Sequence, residues 1–467
     1  MTRRRGTGFG PRSAVVLGGG IAGLAAAAAL APHLPDVTIV ERDRFPMDPL
    51  VRTGVPQGRH THGLVSGGAR ALETLLPGAL DALAAAGAHI VDLPADTLIY
   101  GPYGWLPRIS CGQFAVTCTR PLLEHVLRRQ LLHRYPIVVE ESTTATGLLG
   151  SADEVAGVRL RDRTTGRARD LATDLVIDAT GRASRTPHWL GEFGLPPIPI
   201  STVDTGIAYV SQMIDLPRPG PAPIINIQAD PRAGVPGRSG FLMLVEGGHW
   251  MLNFTGTRGA HPPREQTDLH RFAATLRHPL IGELLDAATP VSPPVSHGNT
   301  SNRRRHYHRL PRWPRGLLAV GDAVTTFNPV YAHGMSYATQ TALAIADHLR
   351  EHGGTLHTAQ LQTRIGRLAT LPWLISTIAD IRYPDVISTR SARRTRMLHP
   401  YMDRFLATAL VDPIANAAFT DLFTLSTPPV RMAQPQVLWA TLRGPRHRRG
   451  GIDPEPLRSD LVGADDD

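Results

Sequence analysis

The sequence predicts an α/β chain with a Rossmann-like dinucleotide-binding domain, an antiparallel-sheet domain and a helical C-terminal region. Three observations carry this. A strand, glycine turn, helix and second strand follow one another between Ala14 and Glu41. Between residues 196 and 299, short strand-like runs alternate with Gly and Pro turns. Beyond Leu349, apolar residues recur at helical spacing.

At 467 residues the chain has room for two or three domains of roughly 150 residues. Hydrophobic residues make up 42% and charged ones 19%, a globular balance, and the 45 Gly and 41 Pro show no collagen-like period. The net charge is 49 − 40 = +9, and all 49 cations are arginine. Without lysine, a Schiff base, a pyridoxal phosphate enzyme and a Walker A loop are excluded, because each needs an ammonium group that arginine cannot replace. The arginines are scattered and aromatics are only 6%, so the basic excess reads as solvated faces rather than a nucleic-acid surface. Cys111 and Cys118 lack the partners of a disulfide framework or a zinc site. A reducing, cytoplasmic setting is expected.

The first element needs care, since Arg3 to Arg5 followed by the apolar run from Ala14 to Ala31 has the outline of a signal peptide or even a membrane span. Its interior argues otherwise, and no stable membrane insertion is expected. Ala14 to Leu17 is a short buried strand, Gly18-Gly19-Gly20-Ile21-Ala22-Gly23 a turn, and the alanine-rich stretch to about Leu34 a helix. Val37 to Val40 forms a second strand ending in Glu41 and Arg42, with Glu41 placed 23 residues after Gly18. Gly18 permits the tight turn, Gly20 lets a pyrophosphate approach the backbone, and Gly23 allows close helix-to-strand packing. The helix N-terminus, with Ile21 and Ala22, faces the phosphates, and Glu41 faces a ribose diol.

A far downstream element chooses FAD over NAD. Leu317 to Val320 reads as another buried strand, ended by Gly321-Asp322, and Asn328-Pro329 and Gly334-Met335-Ser336 follow. A carboxylate at that strand end can bind the hydroxyls of a ribityl chain. Gly334 lets backbone amides approach a flavin ring, and the helix from about Ser336 points its N-terminus at it.

With these motifs the sequence resembles the FAD-dependent monooxygenases of the para-hydroxybenzoate hydroxylase type over nearly its whole length. Gly18, Gly20, Gly23 and Glu41 match the family's ADP fingerprint, and Asp322, Pro329 and Gly334 its second FAD motif. Asp178-Ala179-Thr180-Gly181-Arg182 stands in the place of the middle motif, with Thr180 where the hydroxylases usually have Asp. The resemblance also implies FAD contacts for Arg52, in Arg52-Thr53-Gly54-Val55, and for Arg120, which opens a helix.

Longer strings look like the flavin epoxidases of polyether antibiotic pathways, the lasalocid and monensin enzymes. These are Gly54-Val55-Pro56-Gln57-Gly58-Arg59-His60-Thr61-His62 and Phe327-Asn328-Pro329-Val330-Tyr331-Ala332-His333-Gly334-Met335-Ser336. The resemblance implies epoxidation of alkenes in a linear polyene polyketide, through a flavin C4a-hydroperoxide formed from dioxygen. It implies NADPH or NADH as electron donor, used directly or through a flavin reductase partner. The cofactor supplies the hard chemistry, so no side-chain nucleophile or triad is expected. Two alternatives share the fold: a flavin-dependent aromatic hydroxylase of a secondary-metabolite pathway, and an FAD-dependent reductase of isoprenoid double bonds. A flavin halogenase depends on a lysine and a Trp-x-Trp-x-x-Pro signature, and this chain has neither.

The expected FAD-binding unit comprises residues 1–80, 115–195 and 300–380, the substrate unit 81–114 and 196–299, and the helical C-terminal region with a mobile tail 381–467. Candidate pocket residues are His60, His62 and His333 near the flavin and Tyr209, Asn226, Phe241, Met243 and Phe254 on the sheet; ordinary core packing is the competing reading for each. His60-x-His62 has no evident third ligand, so no metal is expected. Arg303 to Arg305 read as a solvated segment before the flavin strand.

Overall fold

The computed structural model describes residues 8–217, 222–389 and 393–445. The basic residues Arg3 to Arg5 and the expected mobile tail from residue 446 onward lie outside them.

The apolar run near the N-terminus is a strand, a turn and a short helix. Strand Ser13–Leu17 sits at the centre of a five-stranded sheet, and helix Ile21–Leu30 stops ahead of Pro32, four residues short of Leu34. A proline there has no N–H to continue the ladder. The sheet order is Leu317–Ala319, Leu175–Asp178, Ser13–Leu17, Asp36–Val40 and Val138–Glu140, and every pairing is parallel. Strands buried on both faces need continuous apolar runs, which these segments have. Ala25 to Ala29 are at most 1% exposed, and their small side chains let the Ile21–Leu30 helix pack tightly against its neighbours.

The second large sheet joins strands Ile200–Asp215, Ile224–Ile227, Arg238–Leu244, Trp250–Gly256 and Val295–Arg305, antiparallel among themselves where they pair. Thr97–Gly101 adds in parallel to Ile224–Ile227. One face packs on the short helices Leu269–Ala273 and Leu280–Asp286, with Val210, Leu252, Phe254 and Phe272 in the same cluster. The other face carries Tyr209, Ser211, Asn226, Phe241 and Asn253, with Asn226, Phe241, Asn253 and Ser211 abreast in one row.

Arg303 to Arg305 are not a solvated segment. They lie in the Val295–Arg305 strand, paired with Thr202, Ser201 and Ile200, and Arg305 is 5% exposed. Arg305 donates to the carbonyls of Ala323 and Arg182 at 2.8 and 3.0 Å, Arg303 also donates to Arg182, and Arg304 donates to Gly366 at 2.6 Å. Helices Thr358–Leu368, Thr370–Asp380, His399–Ala409, Pro413–Phe423 and Pro435–Arg443 complete the C-terminal part.

Candidate functional site

The glycine turn has the geometry that its spacing predicts. Gly18 has φ +99°, and a Cβ there would stand 2.8 Å from the Ala179 carbonyl oxygen. A Cβ on Gly23 would stand 1.8 Å from the Gly18 carbonyl oxygen, so this glycine is required by packing. Gly20 differs. A Cβ there would meet only Glu124 Oε1 at 3.7 Å and Arg120 Nη2 at 3.8 Å. The protein's own atoms leave space at Gly20, ahead of a helix N-terminus, which is where a pyrophosphate would lie.

Beside this cradle runs a buried network of charges. Glu41 Oε2 accepts from Gly19 N at 2.7 Å and lies 3.1 Å from Arg52 Nη1. Arg52 Nη2 donates to Glu124 Oε2 at 2.7 Å, and Arg120 Nε donates to Glu124 Oε1 at 2.7 Å. Burial by itself would raise the Glu124 carboxyl, but Arg120 and Arg52 outweigh it and hold the group below its usual range. Two guanidiniums and two carboxylates thus cancel, and ribose hydroxyls would meet Glu41 already oriented by Gly19. Arg42 points away to the Gly54 carbonyl, 2.8 Å off. Glu124, absent from the sequence candidates, was signalled only by its i,i+4 spacing from Arg120.

The second motif follows the strand Leu317–Ala319. Asp322 follows strand Leu317–Ala319, is half-buried, and among the described residues its carboxylate accepts no hydrogen bond. Burial raises its pKa, while Arg120, Arg182, Arg303 and Arg305 pull it down without cancelling the rise. A Cβ on Gly334 would lie 3.8 Å from Asp322 Oδ1. Pro329 opens a single turn ending at Ala332, whose φ of +54° starts helix His333–Glu351. Met335 and Ser336 are buried in its first turn, and Ser336 packs so closely on Gly68 that a Cβ there would come within 2.4 Å of its Cα. A carboxylate with open acceptor sites, a glycine beside it and an open phosphate cradle fit FAD.

The middle motif is a structural knot. Asp178, fully buried, accepts from Thr180 N and Oγ1 at 3.0 and 2.5 Å, Ser184 Oγ at 2.5 Å and Thr186 Oγ1 at 2.6 Å. Its oxygens are spent on shaping the turn that follows the strand.

His60 faces the inner side of the large sheet. Its Nδ1 lies within hydrogen-bond distance of Ser211 Oγ, at 2.9 Å, and Ser211 Oγ also accepts from Asn253 Nδ2 at 2.7 Å. Tyr209 packs edge-on at 4.5 Å and His297 lies 5.7 Å away. Burial, assisted by His297, His62 and Arg59, lowers the His60 pKa to about 3, so the ring is neutral at physiological pH. His62 donates from Nδ1 to the His60 carbonyl at 2.7 Å, and burial with nearby Arg120 lowers its pKa to about 4.

Three sheet and loop candidates stand elsewhere. Phe254 lies on the opposite face from Tyr209, fully buried and 5.2 Å from Phe272, because the pairing sets it beside Val210. Met243 shares the inner face but is buried with Val91, Leu93, Ala115 and Met251. His333 is fully buried and turned toward the C-terminal helices, with Nε2 donating to the Phe423 carbonyl at 2.9 Å.

A pocket opens between the inner face of the sheet and the 328–331 turn. Its lining includes Ser239 and Thr255 from the sheet, Asn328 and Tyr331 from the second motif, and Asp380 and Tyr383. Thr255 is the direct partner of Tyr209. Asp380 is 1% exposed and accepts from Asn302 Nδ2 at 2.6 Å, Asn328 Nδ2 at 3.0 Å and Tyr331 OH at 3.0 Å. Burial lifts its pKa to about 6 although all three partners act against the rise. Sequence reasoning missed Asp380 and Tyr383, since nothing local marks the end of an apolar helix as part of a site.

The fold is similar to that of solved flavoprotein monooxygenases. PqsL, described as a probable FAD-dependent monooxygenase from Pseudomonas aeruginosa, superposes with a TM-score of 0.60 at 16% identity, covering 79% of this chain and 97% of its own. PqsL has also been solved in complex with 2-aminobenzoylacetate. A flavoprotein/dehydrogenase from Cytophaga hutchinsonii gives a TM-score of 0.65 at 14% identity over 92% of this chain and 96% of its own. The flavin-dependent brominase Bmp2 gives 0.55 at 13% identity over 92% of each chain. No protein-family model matches the chain. The chain belongs to the family of protein Rv3254 from Mycobacterium tuberculosis, to which it is 30% identical over 426 residues, 88% of this chain and 89% of that protein. Among the described residues, no helix is long and apolar enough to cross a membrane.

Proposed function

We propose that this chain is an FAD-dependent monooxygenase that transfers one oxygen atom of dioxygen to an electron-rich double bond, epoxidising an alkene of a linear polyene polyketide. The carrying observation is the placement of the pocket: the turn that leads into the His333–Glu351 helix forms one wall and the inner face of the sheet the other. Bound FAD, reduced by NADPH or NADH directly or through a reductase, would activate dioxygen. Gly18 to Gly23, Glu41, Arg52, Arg120, Asp322 and the amides of 334–336 would hold it. The protein's remaining task is to orient the alkene and exclude bulk water. Ser239 and Thr255, which line this pocket, suit a substrate that carries hydroxyl groups.

Asp380 favours a second reading, aromatic hydroxylation. A phenol must lose its proton to become a good nucleophile, and a carboxylate with a pKa of about 6 joined to Tyr331 is suited to accept it. Epoxidation needs no such base. The fold likeness to a brominase carries no halogenation here, because the chain has no lysine.

The test is purification followed by turnover under 18O-labelled dioxygen. Yellow protein that places one labelled atom in an epoxide of a polyene supports the proposal. Label found only in a phenol supports the second reading, and a reduced or unlabelled product overturns both.

A further inference from the structure

Away from the cofactor cradle, the far end of the His333–Glu351 helix carries a cluster that none of this chemistry uses. His348 and His352 are four residues apart and share one helix face, and the chain then turns back to bring His357 against them. One ring nitrogen from each histidine lies within 4.8 Å of those of the other two. The His348 and His352 rings stack at 4.1 Å, and His357 lies 5.5 and 5.1 Å from them.

We propose that His348, His352 and His357 form a binding site for a divalent transition-metal ion of the zinc class, with water completing the coordination.

The hydrogen bonds prepare the rings for this. His352 donates Nδ1–H to the His348 carbonyl at 2.9 Å, which fixes its orientation and leaves the Nε2 lone pair free. Such a bond to a backbone carbonyl is the usual support of a metal-ligating imidazole. His357 Nδ1 is buried without a hydrogen-bond partner. His348 Nε2 accepts only the long 3.2 Å bond from the His357 amide, which a metal ion can replace.

Geometry and ligand type select the ion. Tetrahedral zinc at about 2.1 Å from each nitrogen separates them by about 3.4 Å, so nitrogens within 4.8 Å of one another need close by at most about 1.4 Å. The carboxylates at hand, Asp347 and Glu351, pair with Arg350 and Arg364. A set of imidazoles disfavours magnesium and calcium, which take oxygen ligands. Because Leu356 bridges to Phe9 through bonds of 2.7 and 3.1 Å, a bound ion would clip the helix end to the N-terminal segment.

The test uses untagged full-length protein, stripped with EDTA, dialysed and equilibrated with zinc chloride, with bound metal read by elemental analysis. One zinc per chain is expected at micromolar zinc, together with a rise in melting temperature. His352→Ala and His357→Asn should each weaken binding at least about 100-fold, beyond what loss of a supporting partner costs. His352→Ala should melt like the wild type in EDTA, since His352 is exposed. His188→Ala, altering a histidine whose side chain is 60% exposed, should bind zinc unchanged. Absence of zinc from the wild type, or equal binding by the His352 and His357 variants, would overturn the proposal.

Discussion

Arg52 and Glu124 form a buried ion pair, Nη2 to Oε2 at 2.7 Å, with side chains 4% and 8% exposed beside the glycine turn. Arg52 is shared by Glu124 and Glu41, and Arg120 keeps Glu124 paired without it, so Arg52→Met unbalances the four-charge network and should cost up to about 3–5 kcal/mol of stability, whereas the double variant Arg52→Met/Glu124→Leu restores the charge balance and should recover part of it. Denaturant melts of the variants decide this. Glu124 is held below its ordinary 4.5, so its contribution is present above that pH and is lost as pH falls through the depressed value. Glu124→Gln should therefore flatten the acid limb of the stability curve.

Asp322 presents a carboxylate to which no described residue donates, and Gly334 leaves its approach open. If ribityl hydroxyls complete it, each charge-assisted bond contributes about 1.5–3 kcal/mol, and Asp322→Ala should weaken FAD binding by about tenfold to a hundredfold. Flavin fluorescence titration of the deflavinated protein measures it. Wild-type affinity in the variant would remove Asp322 from the site.

Asp380 reports through pH. Its pKa, raised by burial from 3.8 to about 6, means that its contribution to stability is full below about pH 4 and lost as pH rises through 6. The difference corresponds to about 3 kcal/mol. Asparagine can accept from Asn302 and Asn328 with its oxygen and donate to Tyr331 with its amide, so Asp380→Asn should fold and lack this pH dependence. The same variant separates the two reactions: phenol oxygenation should fall on the order of 100-fold or more, while epoxidation stays near the wild-type rate.

What the sequence shows and conceals follows from distance along the chain. The glycine turn and Glu41 were legible because strand, turn and helix are adjacent and each glycine has a local reason. Arg120 was placed through resemblance, but Glu124, its partner one helical turn on, went unread because its role appears only when Arg52 arrives from 72 residues away. For Phe254 core packing rather than pocket lining holds, and the choice was not legible because alternation gives two faces without saying which one the Leu269–Ala273 and Leu280–Asp286 helices will cover. His333 meets Phe423 of the C-terminal helices instead, far along the chain. Asp380 is joined to Asn302 and Asn328 across 78 and 52 residues, and no local pattern announces such a knot.

The two glycines of the turn separate what folding requires from what a ligand requires. At Gly23 an added Cβ would sit 1.8 Å from the Gly18 carbonyl oxygen, so Gly23→Ala must push the helix off the central strand and should lower stability by several kcal/mol with or without cofactor. At Gly20 the nearest atoms are 3.7 and 3.8 Å away, ordinary contact distance, and the residue before the helix has extended backbone, φ −80° and ψ −174°. Gly20→Ala should therefore melt within about 1 kcal/mol of the wild type when flavin-free, and lose FAD affinity because the methyl group occupies the pyrophosphate's approach. Thermal melts with and without added FAD measure both effects. A Gly20→Ala protein that still gains the wild-type increment of stability from FAD would mean that the pyrophosphate lies somewhere other than this cradle.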